Sequence, residues 1–179
     1  MKLSAQDKWE ILETAATWVV VMAMLVYGFG KWIQFEGAAE IDKTVQELRG
    51  MELMWAFYGY SRSFVLSIGM LEITGAILLF FRSTRLLGCL FTSTILINVI
   101  LQDFFYEVNQ GALKAAILYQ LLIVFILFLH RDKLLKGLQI LLIKPLEKPN
   151  RRRFFLKASL AFALFCLLRM AEYFITTGA

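Results

Sequence analysis

The chain has 179 residues, 59% of them hydrophobic, with a mean hydropathy of +0.66 and a formal net charge of +5. So much apolar content, gathered into long runs over one domain's length, excludes an ordinary water-soluble core. The basic residues fall in the gaps between those runs, which excludes a nucleic-acid surface and points to a basic membrane face.

A helix needs about 20 apolar residues to cross a hydrocarbon core of about 30 Å. Five segments meet that requirement, at about 11–30, 64–81, 86–108, 112–129 and 154–175. The first is long for the apolar region of a signal peptide and no A-x-A site follows it, so it reads as a membrane helix. The loop from Lys31 to Ser63 comes next. Its basic residues Lys31, Lys43, Arg49 and Arg62 are outnumbered by Glu36, Glu40, Asp42, Glu47 and Glu52. Within it, Ile41, Val45 and Leu48 recur at i, i+4 and i+7. They predict a short helix over Ala38–Leu48, lying on the membrane surface, against the alternative of a plain loop. Met51, Met54, Trp55, Phe57, Tyr58 and Tyr60 then form an interfacial lead-in to the second span. The two methionines read as packing groups rather than copper ligands.

The second span carries Glu72 at its middle. On a helix its same-face neighbours are Ile68, Gly69, Gly75, Ala76 and Leu79, and small residues let helices approach closely in lipid. Glu72 is therefore expected on the packing face. Thr94, Asn98 and Gln102 form one polar stripe on the third span, and Tyr119 and Gln120 lie near the middle of the fourth. Together with Glu72 they predict a polar layer at one depth. Such groups either hydrogen-bond neighbouring helices or line a ligand site. A neutral carboxyl at Glu72 can donate as well as accept, so it can meet a quinone oxygen or take up a proton. A second layer, nearer the outside, draws on Lys31, Arg62, Asp103, Glu107, Arg169 and Glu172. Trp32, Phe35, Tyr58, Phe104, Phe105, Tyr106 and Tyr173 crowd that level, which predicts an outward pocket with charged and aromatic walls. Arg169 and Glu172, at i and i+3, can pair.

His130, beside Arg131, reads as a solvated group at the inner end of the fourth span. The segment after it, "HRDKLLKGLQILLIKPLEKPNRRR", alternates basic and apolar residues. It predicts an interfacial helix drawn to anionic lipid and ended by Pro145 and Pro149. The two cysteines, Cys89 and Cys166, form no CxxC or Cys/His cluster, so no zinc, other metal or dithiol site is read. One histidine excludes a bis-His haem within the chain. Helix rise puts the two cysteines at depths differing by roughly 13 Å. A disulfide needs Cα atoms within about 7 Å, so no bridge between them is expected.

Orientation follows from Lys and Arg near the span ends. Lys2 and Lys8, the "RSTR" turn with Arg82 and Arg85, and the run from Arg131 through Lys133, Lys136, Lys144, Lys148 and Arg151–Arg153 share one side if five spans alternate. That side is expected to be cytoplasmic, with the N-terminus inside and the C-terminus outside.

Two stretches resemble a known family. "YGFGKW" at the end of the first span is similar to the G-x-x-K segment of the DoxX-like membrane proteins. "GMLEITGAILLFFRSTRLLG" is similar to that family's second helix, with its glutamate, small residues, leucine run and short basic turn. The resemblance covers about Ile11 to His130 and carries Gly28, Lys31, Glu72, Gly75 and Arg85. It implies a four-helix bundle, in some members linked to thiosulfate:quinone oxidoreduction or to membrane redox complexes, in others to cargo reception or assembly. The fifth span, the long loop and the lack of a cysteine pair depart from it and count against direct thiol chemistry.

The expected protein is an all-α membrane protein. It has a four-helix transmembrane bundle over 1–130 with an outer loop at 31–63, a basic cytoplasmic linker at 131–153 and a further transmembrane helix at 154–179. The expected function is a redox-associated subunit of a membrane complex that binds a quinone or lipid and has no covalent cofactor. One alternative is a non-catalytic accessory or assembly partner. The other is a small-solute or proton-coupled transporter, weakened by the lack of Gly/Pro-broken helices and obvious repeats. No catalytic residue is assigned. The expected surroundings are a bacterial inner membrane, its lipid, and another membrane protein or further copies of the chain, with no nucleic acid.

Overall fold

A computed structural model describes residues 3–142 and 151–177. Lys2, Lys144, Pro145, Lys148, Pro149 and residues 178–179, used above for orientation and for the linker's end, lie outside the described residues. Among the described residues every regular element is helical. Helix α1 spans Ala5–Gly30, α2 Gly50–Tyr60, α3 Arg62–Phe80, α4 Arg85–Phe105, α5 Gln110–Leu129, α6 Arg131–Leu141 and α7 Arg151–Thr177, with a 3-10 turn at Val45–Glu47. Helices α1, α3, α4, α5 and α7 are long and apolar enough to cross a membrane. At 1.5 Å per residue even α3, with 19 residues, reaches about 28 Å.

The chain divides into two compact units, Met1–Gly137 and Leu138–Ala179. In the first, α1 packs on α3 and α5, α3 on α4, and α4 on α5, which closes a four-helix ring. Val20 and Met24 of α1, Ala76 and Leu79 of α3, Cys89 and Leu96 of α4, and Ala116, Ile123 and Ile126 of α5 fill its core. Large apolar side chains such as Trp18, Met22, Met70, Ile77, Leu121 and Phe128 point outward, whereas Glu72, Arg85 and Asp103 are buried. An apolar exterior around buried charges suits a bundle solvated by lipid. The second unit contributes α7, apolar around most of its circumference, with Arg169 paired to Glu172 one turn away.

Glycines set the closest approaches. A Cβ on Gly69 of α3 would lie 2.6 Å from the Gly28 carbonyl oxygen of α1, and one on Gly88 of α4 would lie 2.5 Å from the Leu79 amide nitrogen of α3. Small residues thus bring α1 onto α3, and α4 onto α3, at backbone distance.

Local capping decides where helices begin. The Ser4 hydroxyl accepts from the Asp7 amide at 3.1 Å while the Asp7 carboxylate accepts from the Ser4 amide at 2.8 Å. That capping box starts α1 ahead of the apolar run, at Ala5 rather than near Ile11. The Asn109 carboxamide oxygen accepts from the Gly111 and Ala112 amides to start α5.

The surface helix expected over Ala38–Leu48 is not there. Gly37 adopts a positive φ of 74° and breaks the chain direction. The Glu47 carboxylate accepts from the Thr44 amide at 2.9 Å and closes only one 3-10 turn, and Leu48 is already extended. The Glu52 carboxylate accepts from the Arg49 amide at 2.9 Å and starts a new helix, α2. Two caps within a few residues divide what the apolar spacing presented as one helix, and Val45 is left exposed. The interfacial cluster at Met51–Tyr60 forms α2 itself. Its Tyr58, with Phe35 and Val65, makes a small second core, and the Phe35 and Tyr58 rings stack at 4.9 Å.

Candidate functional site: a cavity with a polar end

A cavity of about 440 Å³ lies within the first unit, where the C-terminal part of α1, α2, the middle of α3, the second half of α4 and the start of α5 meet. Its walls are mostly apolar and aromatic, from Met24, Phe35, Met54, Trp55, Ile68 and Val99 among others. Its polar side includes Lys31, Glu72, Asn98, Gln102 and Asp103. Lys31, just past the end of α1, turns back into the bundle. Its Nζ lies 3.5 Å from Glu72 Oε1, donates to Gln34 Oε1 at 3.0 Å, and sits 5.9 Å from the centre of the Phe35 ring. Glu72 is 2% exposed and Asp103 7%. Among the described residues neither Glu72 Oε2 nor Asp103 Oδ2 has a hydrogen-bond partner. The Tyr58 hydroxyl donates to Gln102 Oε1 at 2.6 Å, and Gln102 Nε2 donates to Asn98 Oδ1. Burial pushes the Tyr58 phenol above its ordinary pKa, and the Glu72 and Asp103 carboxylates push it the same way, against the Gln102 hydrogen bond.

The two expected polar layers are thus redistributed. Glu72, Asn98 and Gln102 from the deeper layer share the cavity with Lys31 and Asp103 from the outer one. Tyr119 and Gln120 do not line it. The inward face of α5 belongs to Ala116, Ile123 and Ile126, which turns Gln120 toward α4 and Tyr119 toward α1. Gln120 Nε2 donates to Ser93 Oγ at 2.7 Å, and the Tyr119 ring meets Tyr27 edge-on at 6.3 Å. Arg62 pairs on the surface with Glu36 at 3.6 Å, and Glu107 sits exposed in the α4–α5 turn with φ 48°. Neither lines the cavity. Arg169 and Glu172 pair with each other on α7. Cys89 is buried and Cys166 exposed, both as free thiols.

A second polar cluster, toward the start of α1, has no counterpart in the sequence reading. Glu13 Oε1 lies 2.7 Å from Arg85 Nη1 and 3.1 Å from His130 Nε2, tying α1 to the start of α4 and the end of α5. His130 is therefore a half-buried partner of Glu13 rather than a solvated flank. Glu13 and Lys31 lie about 27 Å apart along α1. The signal for Glu13 was present: an acid inside an apolar run seeks a partner. Gln34, which holds Lys31, carried no signal.

Among the described residues no group of His, Cys, Asp and Glu is arranged to hold a metal ion. The fold and the cavity define a polytopic helical membrane protein with a small-molecule-sized chamber whose polar side is charged. Comparison with other proteins places the chain further. It is 32% identical over 111 residues to the uncharacterized protein YwoB of Bacillus subtilis (strain 168), covering 60% of this chain and 70% of YwoB. The chain belongs to the same family as YwoB. No protein-family model matches it, and no solved structure does.

Proposed function

We propose that the bundle binds a quinone- or lipid-sized amphipathic ligand non-covalently, as a redox-associated subunit of a membrane complex. The observation that carries this reading is a cavity of about 440 Å³ with apolar and aromatic walls and one charged, hydrogen-bonding side. Small-molecule sites have about this volume and this make-up, with a few polar groups fixing orientation. Trp55 lines the cavity, so ligand entry is readable in its fluorescence. A short-chain quinone should quench the purified protein saturably, Trp55→Phe should lose most of that change, and Glu72→Gln should alter the affinity. Quenching that never saturates, and is the same in both variants, would refute the reading. The resemblance of the α1 end and of α3 to DoxX-like proteins supports the redox association.

The distribution of Lys and Arg supports placement in a bacterial cell membrane, the inner membrane where there are two, with the N-terminus cytoplasmic and the C-terminus outside. Labelling of cysteines introduced at the two ends, in intact and in opened cells, checks it. A second reading, as a non-catalytic partner of another membrane protein, is favoured by α7, an apolar helix carrying an Arg169–Glu172 ion pair. Crosslinking in native membranes should then recover one defined protein.

A further inference from the structure

We propose that the cavity selects ligands whose polar end donates hydrogen bonds, a hydroxyl or an ammonium, over ligands whose polar end only accepts them. The inference rests on the reading of the cavity as an amphipathic-ligand site and specifies that ligand's chemistry.

The balance of donors and acceptors is uneven where Lys31, Glu72 and Asp103 meet the cavity. Lys31 Nζ is held by Gln34 Oε1 and Glu72 Oε1, and the Tyr58 hydroxyl is given to Gln102. These donors are already directed at protein acceptors. On the acceptor side, Glu72 Oε2 and Asp103 Oδ2 are directed at none, although both residues line the cavity and are 2% and 7% exposed. A buried carboxylate oxygen without a donor carries a desolvation cost that a bound donor removes. Formal charge has the same sign. Among the described residues that line the cavity, Lys31 is the one cation against the carboxyl groups of Glu72 and Asp103, so with all three ionised the polar side keeps one negative charge. A carbonyl or phosphate oxygen arriving at Glu72 Oε2 or Asp103 Oδ2 meets an acceptor. A hydroxyl or ammonium meets two oxygens that lack a partner, and the apolar walls take its tail.

The test uses full-length protein in nanodiscs of zwitterionic lipid, with Trp55 fluorescence as the readout. Decyl-1,4-benzoquinone and its hydroquinone, the latter kept reduced without oxygen, share a tail and differ in O–H donors. The hydroquinone should bind about tenfold tighter or more, as expected for hydrogen bonds to a charged acceptor. Asp103→Asn should shrink that ratio to below about threefold. Decylamine and decanol, as competitors, separate the two donor sources: displacement by the amine alone assigns an ammonium, displacement by the alcohol a hydroxyl, and displacement by neither counts against donor selection. Equal or tighter binding of the quinone overturns the inference while leaving the cavity reading intact. Binding of neither form overturns both. The wild-type ratio decides even if the variant fails to assemble.

Discussion

Replacing Gly69 by Ala tests how the bundle positions its charged cavity. The new Cβ would lie 2.6 Å from the Gly28 carbonyl oxygen and 3.0 Å from Lys31 Cβ. Neither atom can swing aside, because one is backbone and the other is fixed to it. α1 must therefore withdraw from α3, and a gap of about 0.5–1 Å already forfeits a quarter to a half of the dispersion attraction across a contact. Overpacking of this kind costs about 1–3 kcal/mol. Alanine's better helix propensity offsets up to about 1 kcal/mol of it. A net loss of about 1–2 kcal/mol is expected, measured by unfolding in one detergent. Gly137→Ala is the control, since a Cβ there meets nothing within 4 Å and only the propensity gain remains. The same withdrawal carries Lys31 away from Glu72, now 3.5 Å apart, so ligand binding should weaken together with stability. Gly28→Ala contends for the same gap, with its Cβ 2.9 Å from the Gly69 carbonyl oxygen, so the double variant should lose less than the sum of the singles. If Gly69→Ala unfolds and binds like wild type, the helices do not meet this closely and the reasoning fails.

Arg85→Leu strands Glu13, whose side chain is 12% exposed, with His130 as its remaining partner. Removing one member of a buried pair costs about 3–5 kcal/mol, and adding Glu13→Gln should recover part of it; a double variant worse than Arg85→Leu alone would contradict the pairing. Tyr58→Phe deletes the donor to Gln102 and should cost about 1 kcal/mol in unfolding, with little further loss when Gln102→Ala is added. Glu52 is held below its ordinary pKa of 4.5, mainly by the Arg49 amide and also by Lys43. Its support for the start of α2 is therefore complete above that ordinary value and is lost as pH falls through the lowered one. Amide protection in the first turn of α2, taken relative to the intrinsic exchange rate at each pH, should fall on acidification below the ordinary value of 4.5 and be low at every pH in Glu52→Gln; a flat wild-type protection profile would count against the cap.

The membrane helices are legible in the sequence because each is a run of about 20 apolar residues, a pattern that little besides a bilayer requires. The inward face of α3 is legible for a similar reason. Gly69, Glu72, Gly75, Ala76 and Leu79 share one side of a helix, and all are buried. The cavity's membership is harder to read. Position along the chain puts Lys31 in a layer above Glu72, but a lysine stem is long and its charge settles several ångströms from its Cα. Asp103 follows Gln102 directly, so the boundary drawn between their layers was finer than helix rise can resolve. On α5 the spacing of apolar residues is too uniform to tell which face turns inward, and Tyr119 and Gln120 accordingly fall to either side of Ala116 and Ile123. The segment at 38–48 misleads because apolar spacing says nothing of caps, and Thr44–Glu47 and Arg49–Glu52 make two of them.

The two polar clusters of the bundle differ in a way that sequence cannot display. At the Glu13 end the carboxylate accepts from both Arg85 and His130, and Arg85 Nε also reaches the Leu79 carbonyl at 3.4 Å. None of the buried side-chain atoms left without a partner among the described residues belongs to these three. At the Lys31 end the cation pairs with Glu72, and among the described residues an oxygen of Glu72 and one of Asp103 are left over. Away from water an unsatisfied polar group costs free energy that nothing in the bundle returns. A satisfied cluster is accounted for by holding helices together. An unsatisfied one, set against a cavity large enough for a ligand, is the end at which a ligand has something to complete, and that contrast supports placing the site at Glu72 and Asp103 rather than at Glu13.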